Sequence, residues 1–236
     1  MQDTIESKES RRNFLVKCGL LFATTGFWGV AGCSEDEKGS KAWKVSPTED
    51  LMREHGILRR IMLIYDGIGK RLKQGEEFPL QALAEANNIM RRFIQDYHEK
   101  NEQLHIFNRF SNAGKLVELV ATLYQQHLAG RNLIDKVRIL STEENLKDPA
   151  ERVKIAEFLN TFNQMGRRHA AWEDTVLFPA FRSIISSQDF TEVGETFERE
   201  EEKLFGLNGY EKVVRQVADI EKKLGIYDLK EFTPRL

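Results

Sequence analysis

From residue 46 onward the apolar residues return every three or four positions, and no stretch alternates with the period of two that a half-buried strand shows. Ser46-Pro47-Thr48-Glu49 reads as a capping box with proline in the first turn. It predicts a first helix to about Leu72, with Leu51, His55, Leu58, Met62 and Tyr65 on one face and Gly75 as its stop. Pro79 opens a second helix to about Phe110, whose inward stripe is Leu83, Met90, Ile94, His98, Glu102 and His105. Ser111-Asn112 is expected to cap a third, striped by Leu116, Val120, Leu123, His127, Ile134 and Val137. Asp148-Pro149-Ala150-Glu151 reads as another capping box, before a fourth stripe of Ile155, Phe158, Phe162, Met165, His169, Glu173, Val176 and Ala180. Shorter helices are expected near 190–204 and 210–224, with Gly225 as a stop. The fold class is therefore all-α. It is an up-down-up-down four-helix bundle over 46–186, followed by a C-terminal helical extension over 187–236.

Residues 1–32 break this pattern. Ser10-Arg11-Arg12-Asn13-Phe14-Leu15 precedes an apolar stretch from Leu20 to Ala31, too short to span a membrane and suited to a signal-peptide core. The stretch ends Val30-Ala31-Gly32-Cys33, which resembles a bacterial lipobox, and the arginine pair resembles a twin-arginine export signal. Those resemblances imply a cleaved signal peptide over 1–32 and a lipid on Cys33. Residues 33–45 would then be a polar tether holding a periplasmic or otherwise extracytoplasmic domain at the membrane. Cys18 and Cys33 are the two cysteines of the chain, so no disulfide or thiolate ligand serves the bundle. With 41% hydrophobic residues the chain can bury a sizeable core, and a formal charge of −2 carries no nucleic-acid footprint.

The polar residues inside the apolar stripes carry the chemistry. His98-x-x-x-Glu102 followed by Ile106-Phe107 is repeated as His169-x-x-x-Glu173 followed by Leu177-Phe178. A lone inward histidine precedes each, His55 by 43 residues and His127 by 42. Positions i and i+4 share a helix face, so each pair points a nitrogen and a carboxylate inward. Counting residues along neighbouring helices brings them to one level, with the third-to-fourth step less even and requiring the fourth helix to overhang. A single inward histidine is ordinarily a hydrogen-bonded core residue. Four histidines and two carboxylates at one level of an apolar bundle are costly unless a cation neutralises them. A mixed imidazole and carboxylate set suits iron, manganese or zinc. Two carboxylates can bridge two metals with two histidines each, leaving open positions. The predicted metal ligands are His55, His98, Glu102, His127, His169 and Glu173. His105 is a weaker alternative. Tyr65 and Tyr97 are candidate hydrogen-bond donors to a bound oxygen species. Trp172, Phe107, Phe178 and Tyr65 read most simply as core packing.

Glu54-His55, His98-x-x-x-Glu102, His127-x-x-Gly130-Arg131 and His169-x-x-x-Glu173 with Leu177-Phe178-Pro179 resemble the hemerythrin family of histidine–histidine–glutamate cation-binding domains over about 46–186. The resemblance implies a four-helix bundle around two iron ions joined by an oxo or hydroxo bridge. Its expected partners are small diatomic ligands or peroxide. Oxygen-carrying members have a second histidine four residues after the one on the third helix, where this chain has Arg131. They also place the last carboxylate five residues after its histidine, where this chain has Asp174, and some members use an acid at the place of Glu99, so the resemblance implies Asp174 and Glu99 as weaker alternative ligands. The pattern is closer to bacterial di-iron proteins of iron-centre repair and nitrosative stress. Arg131 cannot ligate iron, so a more symmetric and more open pair of metals is expected than in an oxygen carrier. Oxygen, nitric oxide or peroxide chemistry, iron delivery, and a metal-stabilised interaction module all remain open. No nucleophile triad or phosphate loop marks an enzyme.

Overall fold

The computed structural model describes residues 45–234; the signal-peptide and lipid-anchor readings fall almost wholly on residues 1–44, outside the described residues. The described residues contain helix and no strand. None of their helices is long and apolar enough to cross a membrane. Helix α1 spans Pro47–Gln74. The Ser46 hydroxyl accepts from the Glu49 N–H at 3.3 Å, and the Glu49 carboxylate accepts from the Ser46 N–H at 2.9 Å. Gly75 ends the helix in the left-handed region, at φ 73°, where a side chain would be strained.

Helix α2 covers 80–112 and is not uniform. Ordinary α-turns over Leu80–Ile89 give way to a π-helical stretch at Met90–His98. A short α segment over Glu99–Asn101 leads into a second π stretch over Glu102–Phe107, and α-turns resume over Asn108–Asn112. Helix α3 is Val117–Leu140. Helix α4 covers 149–181, with α geometry over Pro149–Trp172, a π stretch over Glu173–Leu177 and a last turn at Phe178–Phe181. Helices α5, Ser187–Phe205, and α6, Gly209–Lys223, complete the long elements.

The turn between α2 and α3 differs from expectation. Ser111 and Asn112 finish α2 rather than cap α3. Helix α3 starts without a side-chain cap, after Leu116 at φ 50°, and Leu116 is exposed. Phe110 explains the longer α2: it is fully buried and its carbonyl accepts from the Lys115 N–H, so the chain leaves the core only after it. At the start of α4 only half of the expected capping box forms. Asp148 accepts from the Ala150 N–H at 2.8 Å, while Glu151 turns to Lys154.

The apolar core is divided. One cluster runs through Leu58, Ile61, Tyr65, Phe93, Ile94, Ile134, Leu159 and Phe162. The other gathers Leu51, Ile106, Phe107, Phe110, Leu123, Leu177, Phe178 and Phe181. Along each of the four long helices the predicted metal-binding residues fall between the two clusters. Helices α5 and α6 share in this core: Val193 and Phe197 join the second cluster, Val213, Val217 and Ile220 the first. Arg60 of α1 grips Glu221 of α6 in a two-point ion pair.

Candidate metal centre

The six residues singled out by spacing are brought together and are all buried. Two groups of ligand atoms form, His55–His98–Glu102 and Glu102–His127–His169–Glu173, with atoms inside each group no more than 4.8 Å apart. Glu102 belongs to both. Its Oε1 lies 3.4 Å from His98 Nε2 and 4.0 Å from His55 Nε2, while its Oε2 lies 3.3 Å from His127 Nε2. Glu173 spans the groups through one atom, Oε2, at 3.0 Å from His169 Nε2 and 3.3 Å from His55 Nε2. The Nε2 atoms of His127 and His169 are 3.0 Å apart.

Every inward histidine therefore turns Nε2 to the centre, and each Nδ1 is held from outside. Asp174 Oδ1 lies 2.7 Å from His55 Nδ1, and Glu54 Oε2 lies 2.8 Å from His98 Nδ1. Gln103 stands 2.9 Å from His127 Nδ1, and Gln126 stands 3.0 Å from His169 Nδ1. Phe178 stacks on His55 at 5.6 Å between ring centroids and Phe107 on His127 at 5.3 Å. The two carboxylates can only accept, so they fix the tautomer that frees Nε2 of His55 and His98 for a metal; the two amides hold their rings in place.

The inner atoms are poorly satisfied by the protein itself. His55 Nε2, His98 Nε2 and both carboxylate oxygens of Glu102 and of Glu173 are buried and make no hydrogen bond among the described residues. Burial pushes the Glu102 carboxyl well above the usual range, and the charge of Glu173 adds to this. Burial also works against charge on Glu173, but the imidazoles of His169 and His55 outweigh it and hold that carboxyl low. Burial disfavours a charged His55, yet Asp174 and Glu173 overcome it and push the ring up to about 9. Burial drives His98 and His127 well below the usual imidazole value, helped by the neighbouring rings. Nitrogen and oxygen donors with unspent lone pairs, in two groups sharing a carboxylate, fit a pair of cations.

The alternatives fall outside the inner cluster. Asp174 serves His55 from the far side and also pairs with Arg59. His105 is half-buried against the ring of Phe197. Glu99 is buried and engaged by Arg131, and burial pushes its carboxyl up to about 8. Arg131 is bound along one turn of α2, to the Gln95 carbonyl, Asp96 and Glu99. The Tyr65 hydroxyl donates to Asn87 and that of Tyr97 to the Phe197 carbonyl. Trp172, expected in the core, is 55% exposed, because α4 turns His169 and Glu173 inward and leaves Trp172 at the edge of that face. Sequence reasoning gave no outer role to Glu54, Gln103 or Gln126. A signal for them existed: they sit one residue before each lone histidine or one after a glutamate of the repeat, as Asp174 does. A cavity of about 20 Å³ lies beside the cluster, lined by His55, His98, Glu99, His127, Met165 and His169 among others.

Residues 118–235 match the family described as Hemerythrin HHE cation binding domain. The matched stretch begins at α3, so it contains His127, His169 and Glu173; His55, His98 and Glu102 precede it. Uncharacterized proteins of Mycobacterium tuberculosis and Mycobacterium bovis are each 46% identical over 191 residues, covering 80% of this chain and 74% of theirs. No solved structure matches.

Proposed function

The chain belongs to the hemerythrin HHE cation-binding domain family, and on that footing we propose that it is a non-heme di-iron protein. It binds or reacts with oxygen, nitric oxide or peroxide on the outer side of the cytoplasmic membrane. The observation that carries this reading is the set of buried, unbonded Nε2 and carboxylate atoms arranged as two groups around Glu102. His55 and His98 would hold one ion, His127 and His169 the other, with Glu102 and Glu173 shared in an up-down-up-down bundle. When bound, such a pair supplies open coordination positions and one-electron chemistry toward small oxygen and nitrogen species.

The protein's own part is to hold and shield. Asp174, Glu54, Gln103 and Gln126 orient the rings, and apolar clusters on both sides keep bulk water away. A cavity of about 20 Å³ has room for roughly one water-sized molecule. That size favours a diatomic ligand or peroxide over an organic substrate. The placement outside the cytoplasm rests on the arginine pair and the lipobox-like Val30-Ala31-Gly32-Cys33.

The test is to load the full chain with ferrous iron without oxygen, then add oxygen, nitric oxide or peroxide and record the optical spectrum. New charge-transfer bands that differ among the three are expected. A spectrum indifferent to all three, with iron lost rapidly to a chelator, would favour iron delivery instead. Metabolic labelling with a fatty acid tests the location: the label should be present and should vanish in Cys33→Ala. Label that persists in that variant would refute the anchor.

A further inference from the structure

The two halves of the centre repeat each other residue by residue in their outer contacts. The residue before each lone histidine reaches the histidine of the following His-x-x-x-Glu: Glu54 holds His98, and Gln126 holds His169. The residue after each glutamate reaches a lone histidine: Asp174 holds His55, and Gln103 holds His127. Position is conserved between the halves and chemistry is not. Both partners of the His55–His98 half are carboxylates; both partners of the His127–His169 half are neutral amides.

We propose that the halves are unequal cation sites, the His55–His98 half binding more tightly because carboxylates back its imidazoles. The inference rests on the two-metal reading above. A carboxylate accepting the Nδ1 proton leaves the ring richer in electron density, and so a better donor through Nε2, than an amide does. It also fixes the tautomer, because it offers only acceptors. An amide can turn either end to the ring. At His127 and His169 the amides of Gln103 and Gln126 lie 2.9 and 3.0 Å from Nδ1, and by turning over they can meet either ring tautomer. A cation entering that half must first settle both rings in the tautomer that leaves Nε2 free, and that ordering counts against the second half.

The two carboxylates are not equivalent either. Asp174 is the more exposed, at 17% of its side chain against 1% for Glu54, so solvent screens its pull on the ring more. Glu54 is 1% exposed and lies 2.8 Å from His98 Nδ1. Glu54 is therefore the stronger support, and His98 the histidine that gains most.

The experiment is an anaerobic titration of the metal-stripped full chain with ferrous iron-57 against a competing chelator, read also by Mössbauer spectroscopy. Two binding steps are expected, with one quadrupole doublet after the first equivalent and a second doublet after the next. Glu54→Gln should weaken the first step by about 10- to 100-fold, and Asp174→Asn by less. Gln126→Glu should move the opposite way and strengthen the second step, a gain that damage to the fold would not produce. Two irons bound in two equal steps, or first steps unmoved in Glu54→Gln, would overturn the inequality and leave the two-metal reading standing. Fewer than two irons per unmodified chain would remove that reading, and this inference with it.

Discussion

Glu102→Gln separates what the site does for the fold from what it does for metal. In the metal-free chain the Glu102 carboxyl is buried beside Glu173 and held well above the usual carboxylate range, which favours its neutral form. Glutamine copies the shape of that neutral acid. The metal-free variant should therefore match the parent within about 1 kcal/mol, since no ion pair is lost. With metal the outcome reverses. Glu102 presents Oε1 to the His55–His98 group and Oε2 to His127; glutamine keeps one oxygen and replaces the other with an amide nitrogen that cannot ligate. Losing an outer partner already costs roughly 10- to 100-fold in metal affinity, so losing a shared ligand should cost at least about 100-fold. At free metal near 100 times the dissociation constant, the parent gains about 2.7 kcal/mol and the variant about 0.4. For a body of this size the difference removes about 5–9 °C of metal-induced rise in Tm. Thermal unfolding of both chains, stripped and iron-loaded, is the assay. An equal metal-induced rise in both would refute the shared-ligand role. A metal-free variant destabilised by several kcal/mol would show that the carboxylate already has a protein partner.

Metal affinity should rise with pH between about 7 and 9, because His55, pushed up to about 9, carries a proton that the cation must displace; competition assays across that range check the slope. Arg131→Ala should destabilise the chain more at pH 9 than at pH 7. Glu99, raised to about 8, contributes less stability as pH rises through that value, and without its guanidinium it would have to ionise unpaired; urea unfolding at the two pH values measures this. Phe197→Ala in α5 should cost about 3–5 kcal/mol, because Phe197 is 1% exposed in the core beside the site. A near-neutral result in urea would show that α5 is dispensable.

Much of this was legible from spacing. The histidine and glutamate repeat put six residues at one level because helical period and loop length are read directly from the chain. The Ser46 cap and the stops at Gly75 and Gly225 follow from local chemistry that tertiary packing does not override. The π-helical stretches were not legible. Those at Glu102–Phe107 and Glu173–Leu177 both start at a glutamate of the cluster, and inward residues that step by four there read equally well as ordinary α-helix. Leu116 was misplaced because an apolar residue at helical spacing gives no sign that its backbone has turned left-handed. The outer partners were missed for another reason: Gln103 and Gln126 are neither charged nor apolar, and a stripe analysis gives such residues no role. Only their places in the repeat mark them.

The central claim is that six protein residues hold two metal ions in one cluster. Metal analysis of the iron-loaded chain, alongside His98→Ala/His169→Ala, tests it most directly, because the double change removes one ring from each half. The account predicts about two irons per parent chain, magnetically coupled in the Mössbauer spectrum, and essentially none in the double variant. A double variant that keeps its full complement of iron would contradict it.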